Sequence, residues 1–198
     1  MLGKHNRHYE KIGTETKDIT DEIPFQIPSN WKWCRLKDIT TSITDGSHNP
    51  PKGISFSQFL MLSSKNITND KISFDNPRYL SEEDFMQEDK RTDIQINDIL
   101  LTIVGSIGRC AKVTFENKIT IQRSVAVIKA SLLPIYLDFF VLLLQSYTKY
   151  FEDKAKGTAQ LGIYLNTLSL TLLPLPPLNE QKRIVEKVKL LTSILENL

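Results

Sequence analysis

The sequence predicts an α+β fold: a mainly β domain with a few packed helices, followed by a C-terminal helix of coiled-coil type. Three observations carry this reading. Short runs rich in β-branched residues recur along the chain, separated by Gly, Asn, Asp and Ser. One segment, Tyr136 to Phe151, is apolar around much of its circumference, as a buried helix is. The last stretch, Leu172 to Leu198, passes from a proline-rich extended run into an amphipathic repeat.

Taken in order, residues 1–22 are polar and low in hydrophobicity, which predicts a mobile leader. Order is expected to begin at Ile23-Pro24-Phe25-Gln26-Ile27-Pro28, an extended stretch pinned by two prolines. Trp31 and Trp33 alternate with Lys32 and Cys34, as in a short strand at one edge of the core. Strand-like runs follow at Phe56–Leu62, Ile99–Val104, Cys110–Phe115, Ser124–Lys129 and Leu168–Leu175. Between the last two, Pro134 suits the first position of the helix, and Gly157 supplies a stop. The main domain is therefore residues 23–173, and residues 174–198 form a prolyl spacer and terminal helix.

Pro174, Pro176 and Pro177 oppose helix before them and cannot donate to a strand partner. Asn179 stands where an N-cap belongs, with Glu180 in the first turn, where the helix dipole favours an anion. Ile184, Val188, Leu191, Leu195 and Leu198 then recur at steps of four and three, the spacing of a seam that wants another helix. An isolated helix ~30 Å long is marginal in water, so something must cover that seam. Val185, Leu190 and Ile194 widen the apolar stripe, which suits the alternative of a helix folded back on its own domain.

The formal net charge of +2 does not announce nucleic-acid binding, but its distribution is uneven. Seven acids against two bases lie between Ser81 and Asp98, and five bases against Glu116 alone lie between Ile99 and Leu133. Such asymmetry can leave one face attractive to phosphate. Cys34 and Cys110 are far apart, with no metal-type or redox-type spacing, which fits a reducing cytoplasm. The N-terminus lacks the apolar core of a signal peptide. The longest apolar block, Phe139 to Leu144, falls far short of the ~20 residues a membrane span needs.

Catalytic signals are weak. Asn49-Pro50-Pro51 is followed by Lys52, where a base-stacking methyltransferase loop carries an aromatic residue, and no glycine-rich loop precedes it. Glu88-Asp89-Lys90 and Glu152-Asp153-Lys154 each contain a nuclease-like Glu-x-Lys, a common chance triplet. His48 is a single candidate base with no partner evident in sequence. No catalytic residue and no metal ligand is assigned.

Several segments together resemble the specificity subunit of type I restriction–modification systems, and one half of it in particular. They are Glu22 to Leu36 (EIPFQIPSNWKWCRL), Asp45-Gly46-Ser47-His48, Gly105-Ser106-Ile107-Gly108-Arg109, Gly157-Thr158-Ala159-Gln160, and Leu175 to Val185 (LPPLNEQKRIV). The last is the most specific. The resemblance implies a non-catalytic DNA target recognition domain that reads one half of a split double-stranded target. It implies recruitment of methylation subunits, which hold S-adenosylmethionine, and through them of restriction subunits; no cofactor is expected in this chain. Family members carry two recognition domains joined by long paired helices, whereas this chain has one domain and one short helix. It therefore looks like a half-subunit, or a fragment of a longer reading frame. A homodimer through the terminal helix would rebuild the two-domain arrangement.

DNA recognition needs cations for phosphate and paired hydrogen-bonding groups for base edges. Lys65, Lys112 and Lys156 are the phosphate candidates, with Arg78 beside Pro77 as a further one. Arg109 and Gln122-Arg123 are the base-reading candidates, since arginine can pair guanine and glutamine can pair adenine bidentately. Asn66 and Gln160 are secondary. Asp45 and His48 are read as ordering their turn, and Gly157 to Gln160 serves equally well as a hinge. Two rival readings remain: an interaction module with no DNA role that docks through its helix, and a stand-alone methyltransferase or nuclease.

Overall fold

The computed structural model describes residues 7–116, 118–130, 134–157 and 160–196. In chain order the elements are β1 (Tyr9–Ile12), β2 (Glu15–Asp18), β3 (Lys32–Arg35), β4 (Thr40–Asp45), β5 (Phe59–Leu62), β6 (Ile67–Thr68), β7 (Lys71–Ile72) and β8 (Arg78–Leu80). Next come α1 (Glu82–Thr92), β9 (Ile99–Thr102), β10 (Cys110–Lys112), β11 (Ile119–Ile121) and β12 (Val125–Ala130). The chain then forms α2 (Leu137–Ser146), α3 (Thr148–Lys154), α4 (Leu165–Ser169), β13 (Leu172–Leu175) and α5 (Leu178–Glu196). The α+β expectation holds.

Two sheets stack at the centre. One is antiparallel, in the order β10-β9-β12-β4; the other is β11-β5-β8, with β11 parallel to β5. Strand alternation divides the apolar side chains between layers. Ile99, Leu101, Ala126 and Ile128 face α2 and its neighbours, packing with Phe140, Leu144 and Phe151. Leu100, Val125 and Val127 face the other way, onto Leu62, Ile119 and Ile121 of the second sheet. Beyond that sheet, Phe59, Met61 and Leu80 meet Phe85 of α1. The layers thus run helices, sheet, sheet, helix, and β9 and β12 read as continuous apolar runs because both their faces are covered.

Several boundaries differ from expectation, each for a visible reason. Order begins before Ile23: residues 9–18 form a hairpin turning at Gly13 (φ +60°), and β1 and β2 pair throughout. Arg35, only 6% exposed, ties that hairpin to the body. Its Nε donates to Glu10 Oε1 at 2.8 Å, its Nη2 reaches Glu22 Oε2 at 2.8 Å, and its Nη1 donates to the Leu170 carbonyl at 2.8 Å. The helix expected over Tyr136–Phe151 starts at Leu137, with Tyr136 as its extended N-cap, whose N–H donates to Gln181 Oε1 at 2.8 Å. It divides at Tyr147, where the Thr148 hydroxyl turns to the Gln145 and Gly108 carbonyls. The strand expected from Leu168 begins at Leu172, since α4 occupies Leu165–Ser169.

The terminal helix begins at Leu178, and Asn179 lies inside its first turn rather than capping it. The Pro177 carbonyl already accepts from the Glu180 and Gln181 amides, and buried Gln181 donates to Pro176 O at 2.9 Å. The first turns of α5 pack on α2, with Val185 buried and Ile184 partly buried. Further along, Val188, Leu190, Leu191, Ile194 and Leu195 are exposed, Leu195 by 70%. Both sequence alternatives are therefore partly realised: the start of the helix folds back and the rest is open. Leu198 lies outside the described residues. Among the described residues, no helix is long and apolar enough to cross a membrane.

Candidate nucleic-acid interface

The strand directions bring one set of loops to one end of the stacked sheets. Asp45 pairs Ala126, Thr102 pairs Val125, Cys110 pairs Leu101, and Ile121 runs beside Leu62. The loops after β4, β5, β9 and β11 therefore share a single rim. Backbone bonds lace them together. Ser47 N–H donates to Ile121 O at 2.8 Å, Gln122 N–H to Leu62 O at 2.8 Å, and Arg123 N–H to Ser47 O at 2.9 Å. Ser64 N–H donates to Ser124 Oγ at 3.0 Å, while Ile103 N–H donates to Ser124 O at 2.9 Å. Gly105 N–H donates to Leu161 O at 3.2 Å, and Lys156 and Gly162 exchange both of their backbone bonds.

Lys65, Arg109, Gln122, Arg123, Lys156 and Gln160 all stand on this rim. Arg109, Arg123, Lys65, Lys156 and Gln160 are exposed, and Gln122 is half-buried. Arg109 is set by a turn with Gly105 (φ +80°) and Gly108 (φ +90°), conformations that favour glycine. The Thr102 hydroxyl accepts from its N–H at 3.0 Å, which fixes where the arginine emerges. Gln160 amide nitrogen lies 3.4 Å from where a Gly105 side chain would begin. Thr158 and Ala159, between Gly157 and Gln160, lie outside the described residues.

Three sequence candidates are otherwise engaged. Asn66 is buried; its Oδ1 accepts from Ser63 N–H and its Nδ2 donates to Asp75 O, both at 3.0 Å, so it shapes the turn and has no amide group to spare for a base edge. Lys112 is drawn to Asp138 at 2.6 Å, and Lys189 of α5 reaches the same carboxylate at 3.1 Å. The Lys112 hydrogen bond holds the Asp138 carboxyl below the usual range against the opposing effect of burial. Lys112 is thus a strut between the sheet and α2, and the shared Asp138 carboxylate links α2 on to α5. Arg78 donates to Pro51 O at 2.5 Å and holds the arch of residues 46–58. The basic run expected from residues 99–133 is reduced further, because Lys129 pairs with Asp98 at 2.7 Å.

Sequence reasoning missed Arg91. It lies in the last turn of α1 and bonds the Asp45 carboxylate, which also holds His48 Nε2 at 2.7 Å. A lone arginine in a charged helix carries no signal of its destination. Asp45 to His48 do order their turn, as the sequence suggested. Burial pushes the thiols of Cys34 and Cys110 up to about 12, so neither is a ready nucleophile. Among the described residues no group of three His, Cys, Asp or Glu side chains could hold a metal.

Gly46 lets the end of β4 approach β11 closely: a Cβ there would sit 2.0 Å from Ile121 O and 2.7 Å from Gln122 C. Gly46→Ala is expected to destabilise the chain by about 1–3 kcal/mol or more, as overpacking does. A lower denaturant midpoint with an unchanged slope would register it; an unaltered midpoint would show that the sheets can separate freely here.

Comparison with known proteins gives consistent matches. The family described as "Type I restriction modification DNA specificity domain" matches residues 28–197. A specificity subunit of the type I restriction enzyme EcoBI from Escherichia coli is 31% identical over 126 residues, covering 62% of this chain and 26% of that protein. The solved HsdS subunit from Thermoanaerobacter tengcongensis superposes with a TM-score of 0.65 at 17% identity, over 88% of this chain and 40% of that one. The S subunit of a type I restriction–modification system from M. genitalium gives 0.58 at 17% identity, over 87% and 42%. The chain thus spans about a quarter of the curated relative and two fifths of the solved ones. At this identity the structures speak for the fold alone.

Proposed function

This chain belongs to the type I restriction–modification DNA specificity domain family, and from that premise we propose that it reads one half of a split double-stranded DNA target. The observation that carries the reading is the convergence of Arg109, Gln122, Arg123, Lys65, Lys156 and Gln160 on one laced rim. Exposed arginine and glutamine there can meet base edges, and the lysines can meet phosphate. The chain acts without catalysis of its own. It recruits methylation subunits, which supply S-adenosylmethionine, and through them restriction subunits, in the cytoplasm where the DNA lies. Residues 23–173 are its recognition domain, with the residue 9–18 hairpin strapped on, and residues 174–198 are the spacer and assembly helix.

Arg109→Ala tests the reading. Affinity for the cognate duplex should fall by about 1–3 kcal/mol and preference should relax at one base pair. Equal weakening on all sequences would make Arg109 a phosphate contact. Binding that does not fall with salt would favour the interaction-module alternative instead, since phosphate contacts release counterions.

The open stretch of α5 supports a second element of the proposal. Val188, Leu191 and Leu195 form one exposed seam, widened by Leu190 and Ile194. A second copy of α5 covers it, which places two recognition domains about a two-fold axis and gives a palindromic split site.

A further inference from the structure

We propose that Asp45 is a positioning residue that aims Arg91 at a single DNA backbone phosphate beside the rim. The inference rests on the DNA-reading role above and adds a contact that none of the rim candidates supplies.

Asp45 ends β4 with only 8% of its surface exposed, and a buried carboxylate must be fully bonded to be tolerated. One oxygen meets His48 Nε2 at 2.7 Å, and the other is bonded by Arg91 Nη2. Arg91 Nε also donates to the Asp45 carbonyl at 2.8 Å, so the guanidinium grips one residue by both side chain and backbone. The side chains of Arg91 and His48 nevertheless remain 52% and 57% exposed. Arg91 gives Asp45 its Nε–H and one Nη2–H, so Nη1 and the second Nη2–H of this half-exposed side chain remain for a ligand.

Neighbouring contacts keep this group in place. Gly46 is wedged against Ile121, and the Ser47 carbonyl accepts the Arg123 N–H. The outward donors therefore lie next to the rim, on its α1 side. Their chemistry selects the ligand. Arg91 spends only its Nε–H and one Nη2–H on Asp45 and keeps three further N–H bonds, on Nη1 and Nη2. A guanidinium held in place by a buried carboxylate, with its positive charge turned to solvent, suits a phosphate oxygen. Such a contact positions DNA without reading it.

The test measures binding of the full chain to a random-sequence duplex across a salt series, comparing wild type with Arg91→Gln, Arg91→Lys and Asp45→Asn. Arg91→Gln should weaken binding equally on every sequence and lower the slope of log K against log salt by about 1. Arg91→Lys should restore the slope, because the charge returns, while affinity stays below wild type, because lysine cannot grip Asp45 in the same way. Asp45→Asn should lower affinity although Arg91 keeps its charge. If Asp45→Asn lowers the melting temperature, the exposed Arg91 variants decide alone. Unchanged affinity and slope in Arg91→Gln would overturn the inference, as would a change of preference at one base pair. If Arg109→Ala still alters binding in that case, only the Asp45 proposal falls. If the wild-type chain binds no duplex, both readings fall together.

Discussion

Replacing Leu191 and Leu195 together by glutamate is expected to leave the chain monomeric at concentrations where the proposed wild-type dimer should form. Leu191 is 49% and Leu195 70% exposed, and neither has a place in the chain's own core. A leucine buried on pairing contributes about 1.5–3 kcal/mol. Four of them across a two-fold pair are worth ~6 kcal/mol at the low end, which is about four decades in Kd. The fold should survive, because Val185 and Ile184 dock the start of α5 while the Leu191 and Leu195 side chains are exposed. Sedimentation would therefore lose the dimer with little change in melting temperature. A wild-type chain that is already monomeric at high concentration would remove the second copy from the proposal.

Arg35→Met is expected to cost about 3 kcal/mol, the low end for removing one partner of a buried ionic group. The Arg35 and Glu10 side chains are 8% and 16% exposed, whereas Glu22, at 37%, is partly screened by water. The substitution also leaves the Leu170 carbonyl without its arginine donor. Hydrogen exchange should quicken across Tyr9–Asp18, because the clamp joins that hairpin to the body. The pH dependence has a defined direction. The Arg35 hydrogen bonds hold the Glu10 carboxyl below its ordinary range, and Lys17 with Arg35 does the same for Glu22. Each therefore contributes stability above its unfolded pKa that is lost as pH falls through the depressed folded value. The wild type should lose more stability on acidification than Arg35→Met does. Equal acid losses would show that the clamp is not what these carboxylates depend on.

The parts of this molecule legible in its sequence are those set by pattern. The β-branched runs at Ile99 and Val125 became central strands because residues apolar on both faces suit burial between two layers. The glycines at 46, 105 and 108 marked the loops of the rim, since each meets either a close neighbour or a positive φ. What stayed hidden depended on long-range pairing. No local pattern tells that Arg35 meets Glu10 and Leu170, or that Arg91 reaches Asp45 across 46 positions. The same blindness overvalued Asn66 and Lys112, whose residue types suit DNA but whose side chains are bonded inside the protein. Asn179 looked like a cap because its type is right for one; the Pro177 carbonyl and buried Gln181 had already settled where the helix starts.

The most direct test lies in which DNA sequences the assembled complex chooses. Duplexes bound by this chain together with the methylation subunit proposed as its partner can be selected from a random library and sequenced. A defined half-site should emerge, and joint substitution of Gln122 and Arg123 should shift it at neighbouring base pairs without abolishing binding. A selected pool with the same base composition as the starting library, for wild type and variant alike, would contradict the claim that the rim reads sequence.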